Sequence, residues 1–263
     1  MGQIPLEDNF ADIVAKAQRG LRLSPADLPP LRSPGNDDAT IRKLAAVLHL
    51  GPVALIASAR SLWRPHDQPP LDGLAAFNTP FGDMTVNAYV VFDPGTRRAA
   101  AFDTGADADP MLQYIREQKL KLELILLTHI HTDHVYELDR LQQATGAKPW
   151  VSDREPLSGA EPFADGKEFA LGGLKISTRR TSGHARGGTT FVVTGLAERL
   201  AVVGDALFAG SMGGGLVDYD EALRTNRAAI FTLPEDTIIC PGHGPLTTVG
   251  EEKLHNPFFP EFQ

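Results

Sequence analysis

A chain of 263 residues with 42% apolar and 22% charged side chains can bury a full core, and its 25 glycines and 20 prolines imply many turns. Collagen, a coiled coil and a mainly disordered chain are excluded. A formal net charge of -8 lacks the basic footprint of a nucleic-acid binder and gives no attraction to an anionic membrane surface.

The opening segment, MGQIPLEDNF, has no basic stretch followed by an apolar run, so no signal peptide is expected. The longest uncharged stretch, Leu44 to Ala59, is interrupted by Gly51 and Pro52 and is short for a membrane span. A single cysteine, Cys240, makes no intrachain disulfide. The expectation is a cytoplasmic protein without a membrane partner.

Asp12 to Gly20 reads as a short amphipathic helix, and Leu21 to Asp38 as a Pro-rich loop with a turn at Ser24-Pro25-Ala26-Asp27. Thr40 to His49 and Val53 to Trp63 read as two more helices, the second stopped by Pro65. Together they resemble part of a helix-turn-helix, but the segment is electrically neutral where phosphate contacts need Lys and Arg. A helical module that docks on its neighbour is the better reading. His66 to Pro70 looks like a linker.

Strands begin at about residue 80. Met84–Phe92 and Arg98–Asp103 form a hairpin around Asp93-Pro-Gly-Thr96. A helix over Asp109–Lys119, a strand over Leu122–Thr128 and a helix over Asp133–Ala144 follow. Lys148–Ser152, Lys175–Arg180, Thr189–Thr194, Leu200–Gly204 and Thr237–Cys240 are further strands, with a helix over Tyr219–Ile230. Interleaved strands and helices make the class α/β or α+β.

The informative segment is Leu127-Thr-His129-Ile-His131-Thr-Asp133-His134-Val135. In an extended loop, side chains at 129, 131 and 133 leave on one side, because the strand period is two. His134 starts the next turn and points elsewhere, so the segment can offer ligands to two neighbouring points. Imidazole with carboxylate suits zinc, and also iron or manganese. Ser182-Gly183-His184, Val202-Val-Gly-Asp205 and Cys240-Pro-Gly-His243 repeat one theme, a His or Asp at a strand end beside a Gly. Singly, each reads as a turn or a cap; with the first cluster they define a candidate site. His49, His66 and His255 are left as ordinary residues, and Cys240 as a small buried hydrophobe.

These motifs, in this order, resemble the metallo-β-lactamase fold superfamily from about residue 80 to 260. The resemblance implies an αββα sandwich with the metal site at one edge: a hydrolase domain over 76–263 after an N-terminal helical extension over 1–75. It implies two divalent metal ions, zinc first, with iron or manganese as alternatives. His129, His131 and His184 would hold one, Asp133, His134 and His243 the other, and Asp205 would bridge. Asp103, in Phe102-Asp-Thr-Gly-Ala106, corresponds to the family's aspartate behind the ligands; Thr128 orients the loop, and Asn87-Ala-Tyr89 is structural.

Within the superfamily the chain is most similar to glyoxalase II-like hydrolases, on Val203-Gly-Asp-Ala-Leu-Phe208-Ala-Gly-Ser211 and Pro241-Gly-His-Gly-Pro-Leu-Thr-Thr248. The implied reaction is hydrolysis of a small-molecule thioester or ester by a hydroxide bridging the metals, with Asp133 steering its proton. Alternatives are a mononuclear iron persulfide dioxygenase using His129, His184 and Asp205, a lactone or ester hydrolase, and a regulatory protein whose helices bind a partner. No nucleic-acid partner is expected, and a homo-oligomer is compatible. Two segments bordering the substrate depart from the pattern. Met212-Gly-Gly-Gly215 stands where a basic residue is usual near Gly214, and Ala185-Arg-Gly-Gly188 follows His184. Arg186 is either a replacement cation or an exposed charge.

Overall fold

A computed structural model describes residues 4–29 and 37–263; part of the expected Pro-rich loop lies outside them. Three helices open the chain: α1 (Phe10–Gly20), α2 (Asp38–Val47) and α3 (Pro52–Ala59). Asn9 caps α1 in a capping box with Asp12, which places the start of the helix just ahead of the sequence expectation. Ser24 to Asp27 turns as expected, as a single 3-10 turn. The third helix stops at Ala59, short of Trp63, because Ser61 adopts a left-handed φ of 52°.

The first sheet has the order β1-β2-β3-β4-β5-β6, built from β1 (Leu74–Phe81), β2 (Met84–Phe92), β3 (Arg98–Phe102), β4 (Lys121–Leu126), β5 (Lys148–Ser152) and β6 (Glu161–Phe163). The hairpin between β2 and β3 forms as expected, with Tyr89 opposite Phe102. β1 begins ahead of the expected onset of strands near residue 80. Its Asn78, Thr79 and Pro80 hide a strand pattern, and as an edge strand it tolerates the proline. Helix α4 (Asp109–Glu117) crosses between β3 and β4, which run parallel. The helix expected over Asp133–Ala144 is two, α5 (Thr132–Val135) and α6 (Leu138–Thr145). At the break, the Glu137 amide donates to Thr104 Oγ1 at 3.1 Å instead of continuing the helix.

The second sheet has the order β12-β11-β10-β9-β8-β7, from β7 (Glu168–Leu171), β8 (Leu174–Arg180), β9 (Thr189–Thr194), β10 (Leu200–Gly204), β11 (Ile238–Pro241) and β12 (Thr247–Thr248). Helix α7 (Tyr219–Ala229) precedes β11, and α8 (Val249–His255) follows β12.

Period-two alternation sends each strand's side chains into two cores. Tyr89, Val91 and Phe102 meet Phe191, Val193, Val202 and Cys240 between the sheets. Ala88, Val90 and Ala101 face outward under Met111 of α4 and Leu141 of α6. On the far side Ala201 and Val203 pack with α7 and with Ile13, Ile41, Leu44 and Leu55 of the first three helices. The layering is αββα. The N-terminal helices dock into the core of the second sheet, as their apolar faces demand. Cys240 is fully buried, and burial pushes its thiol up.

Candidate metal centre

Strand ends from both sheets meet at one edge of the sandwich. β4 delivers His129 and His131 on the loop behind it and Asp133 and His134 on α5. The loop after β8 carries His184, Asp205 follows β10 directly, and His243 follows β11. The seven side chains fall into two groups with their ligand atoms converging. His129, His131, His184 and Asp205 form one; Asp133, His134 and His243 form the other, and in each group the atoms lie within 4.8 Å of one another. The two groups touch: Asp205 Oδ2 is 3.3 Å from His184 Nε2 and 3.5 Å from His243 Nε2, while its Oδ1 is 3.2 Å from His134 Nε2.

Four imidazoles are aimed by the nitrogen that faces away from the cluster. His134 Nδ1 donates to Asp103 Oδ2 at 2.8 Å, His184 Nδ1 to the Gly213 carbonyl at 2.8 Å, and His243 Nδ1 to the Thr85 carbonyl at 2.6 Å. His129 Nδ1 donates to Thr128 Oγ1 at 3.1 Å, which itself donates to Asp103 Oδ2 at 2.7 Å. Each fixes the tautomer that leaves Nε2 free to bind. His131 is turned the other way, with Nδ1 inward, 3.0 Å from His184 Nε2.

Asp103 and Thr128, expected behind the ligands, hydrogen-bond to each other and to His134 and His129 respectively. Asn87 and Tyr89 have a job that their strand pattern alone did not specify. Asn87 Nδ2 donates to the carbonyls of Pro241 and Gly244, and Tyr89 Oη to that of Pro241 at 2.7 Å, clamping the His243 loop. The Thr85 and Gly213 carbonyls were illegible in the sequence, because any residue carries one. Arg186 is exposed and lines a separate small cavity with Arg154 and Arg180.

The carboxylates of the cluster draw positive charge onto two of its imidazoles, as they would draw a cation. Burial pulls His129 well below its usual range and lowers His184, keeping both imidazoles neutral. Burial also opposes charge on His134 and His243, but Asp205 and Asp103 push the first up to about 10, and Asp133 and Asp205 push the second up to about 11. The Asp133 and Asp205 carboxyls are held low in return, despite their burial. His129 Nε2, His134 Nε2 and Asp205 Oδ1 are buried and have no hydrogen-bond partner. Such orphans are costly unless something binds them. Gly242 completes the cradle: a Cβ there would lie 2.2 Å from Asp205 Oδ1 and 2.6 Å from His134 Cε1. The donor set, imidazole with carboxylate, fits divalent metal ions.

This fold and this cluster define a metal-dependent hydrolase class. A family model for the metallo-beta-lactamase superfamily matches residues 81–243, and the chain belongs to that superfamily. It is 30% identical over 197 residues to hydroxyacylglutathione hydrolase GloC of Haemophilus influenzae, covering 65% of this chain and 92% of that one. The crystal structure of ETHE1 from Myxococcus xanthus superposes with a TM-score of 0.63 at 25% identity, covering 71% of this chain and 85% of that one. TTHA1623, solved in a di-iron-bound form, superposes with a TM-score of 0.56 at 26% identity, covering 69% of this chain and 99% of that one. Among the described residues, no helix is long and apolar enough to cross a membrane.

Proposed function

We propose that this chain is a binuclear metal-dependent hydrolase that cleaves a small-molecule thioester. The observation that carries the binuclear part is the convergence of two ligand sets on Asp205, with orphaned nitrogens in both. His129, His131 and His184 would hold one ion, Asp133, His134 and His243 the other, and Asp205 both. Zinc suits these donors best, and iron is the alternative that the di-iron neighbour supports. The thioester part is supported by the similarity to the hydroxyacylglutathione hydrolase.

When bound, divalent ions supply Lewis-acid chemistry, lowering the pKa of water toward about 7 and polarising a carbonyl. The chain's own residues do the rest. Asp133 is more exposed than the other carboxylate of the cluster, at 13% against 9% for Asp205, and is positioned to hold a proton from the attacking water. The buried imidazoles, fixed from behind by Asp103, Gly213 and Thr85, keep the ligand geometry without reorganisation. The water oxygen bonds to the acyl carbon, the C–S bond breaks, the proton held by Asp133 passes to the departing sulfur, and the products are a thiol and a carboxylate whose remaining proton goes to solvent.

A persulfide dioxygenase needs one iron on His129, His184 and Asp205, and leaves Asp133 and His243 without a task. The second ligand set favours the hydrolase. A panel of one thioester, one lactone and one persulfide, assayed alongside elemental analysis, tests the reading. Thioester turnover with two metals per chain is expected; persulfide oxidation with one iron would overturn it.

A further inference from the structure

A cavity of about 710 Å³ lies between α1 and the Gly213–Gly215 run, beside the metal centre. Gly213 is the wall they share. Its carbonyl accepts from His184 Nδ1, and its amide donates to the Asp205 carbonyl at 3.1 Å. A second link runs through Lys16, whose Nζ lies 5.0 Å above the Phe208 ring, itself 5.6 Å from the His243 ring. The N-terminal helix thus reaches the centre through Phe208.

Three basic side chains, Lys16, Arg19 and Arg22, line the cavity against two acidic ones, Asp218 and Asp220. Lys16 is committed to the fold, paired with Asp8 and donating to the Met212 carbonyl at 2.9 Å. Asp218 is committed too, capping α7 through the Glu221 amide, while Asp220 is exposed, which leaves one acid against the two arginines. Arg19 and Arg22 are exposed, and neither guanidinium has a partner among the described residues. Arg22 holds a left-handed φ of 56°, where a glycine would be unstrained. Gly214 and Gly215 line the same cavity, and their amides also have no partner among the described residues. Gly214 sits at φ 75°, and a Cβ on it would come within 3.9 Å of the Lys16 stem. Guanidiniums and backbone amides without partners, lining one cavity, are the groups that take up an anion.

We propose that α1 and the Gly213–Gly215 run form the subsite for an anionic thiol half of the substrate, with Arg19 and Arg22 as its specificity-determining cations. This rests on the thioester reading, and it assigns the N-terminal helices a recognition role as well as a packing one. The negative charge is a carboxylate or a phosphate; both bind guanidinium in the same bidentate way.

The test loads the full chain with zinc and offers one acyl group on three thiols: glutathione, which carries carboxylates, coenzyme A, which carries phosphates, and the uncharged N-acetylcysteamine. Binding of the three corresponding S-methyl thioethers is measured in parallel. At least one anionic thioester is expected to exceed the neutral one in kcat/KM by about tenfold or more, mainly through KM. Its identity names the source of the charge. Arg19→Ala/Arg22→Ala should remove most of that preference, weaken the matching S-methyl thioether, and leave N-acetylcysteamine thioester turnover unchanged. Arg186→Ala, in the adjoining cavity that shares only Val217 with this one, should change nothing. No charge preference in the wild type, or a preference that survives the double substitution or disappears in Arg186→Ala, overturns the subsite while leaving the hydrolase intact. If no thioester is cleaved but the S-methyl thioethers show the charge preference and lose it in the double variant, the hydrolase reading fails and the subsite stands.

Discussion

One carboxylate, Asp103, stands behind both ligand groups. Its Oδ2 accepts from His134 Nδ1 at 2.8 Å and from Thr128 Oγ1 at 2.7 Å, and Thr128 in turn accepts from His129. Its Oδ1 accepts from the Thr128 amide at 2.8 Å. The residue holds a left-handed φ of 55°, which suits Asp or Asn. Asp103 therefore fixes one imidazole of each set at once.

Asp103→Asn keeps the shape and the backbone conformation but loses the charge and one acceptor. Metal affinity should fall by about 10–100-fold, the usual cost of losing a partner behind a ligand. Competition with a chelator of known affinity measures it, and an unchanged affinity would show that Asp103 only shapes the loop.

Asp205→Ala opens both ligand groups, because its two oxygens face His134 on one side and His184 and His243 on the other. Metal content and activity should fall together. Full metal occupancy in an active Asp205→Ala protein would remove Asp205 from the bridging position.

Glu252, fully buried on α8, accepts from the Gly210 amide, Thr247 Oγ1 and Asn256 Nδ2. Burial outweighs these donors and pushes its carboxyl up to about 8 from a usual value of 4.5. The folded state thus holds a proton that the unfolded chain releases. The stabilising contribution is full below about pH 4.5 and is lost as pH rises through about 8. Glu252→Gln cannot titrate, so its Tm should fall less steeply between these limits. Parallel Tm-against-pH curves for the two proteins would mean that Glu252 is ionised throughout.

Leu44 of α2 is completely buried in the same core as Val203 and Ile239 of the second sheet. Leu44→Ala should cost about 2–5 kcal/mol of unfolding free energy, as for other buried leucines. Urea denaturation gives the value. A loss below about 0.5 kcal/mol, typical of surface changes, would mean that the helix does not share that core.

The seven candidate ligands were legible because strand-end His and Asp beside Gly is a pattern of side-chain chemistry, and their side chains converge. The strands that carry them were legible from their apolar runs. β1 was not, because Asn78, Thr79 and Pro80 break its alternation, and β6 and β12 are only three and two residues long. The division of the helix after Asp133 depends on a hydroxyl contributed by Thr104, far away in sequence. The carbonyls of Thr85 and Gly213 act through backbone atoms and leave no trace in side-chain identity. That Arg19, Arg22 and Gly214 line one cavity follows from tertiary packing alone.

The central claim is a two-metal centre built on Asp205, and the metal-to-protein ratio tests it most directly. Elemental mass spectrometry on purified protein, with thioester turnover measured on the same sample, should give about two divalent ions per chain. Titrating them out with a chelator should remove activity in step. A fully active protein holding one iron and no second ion would contradict the account.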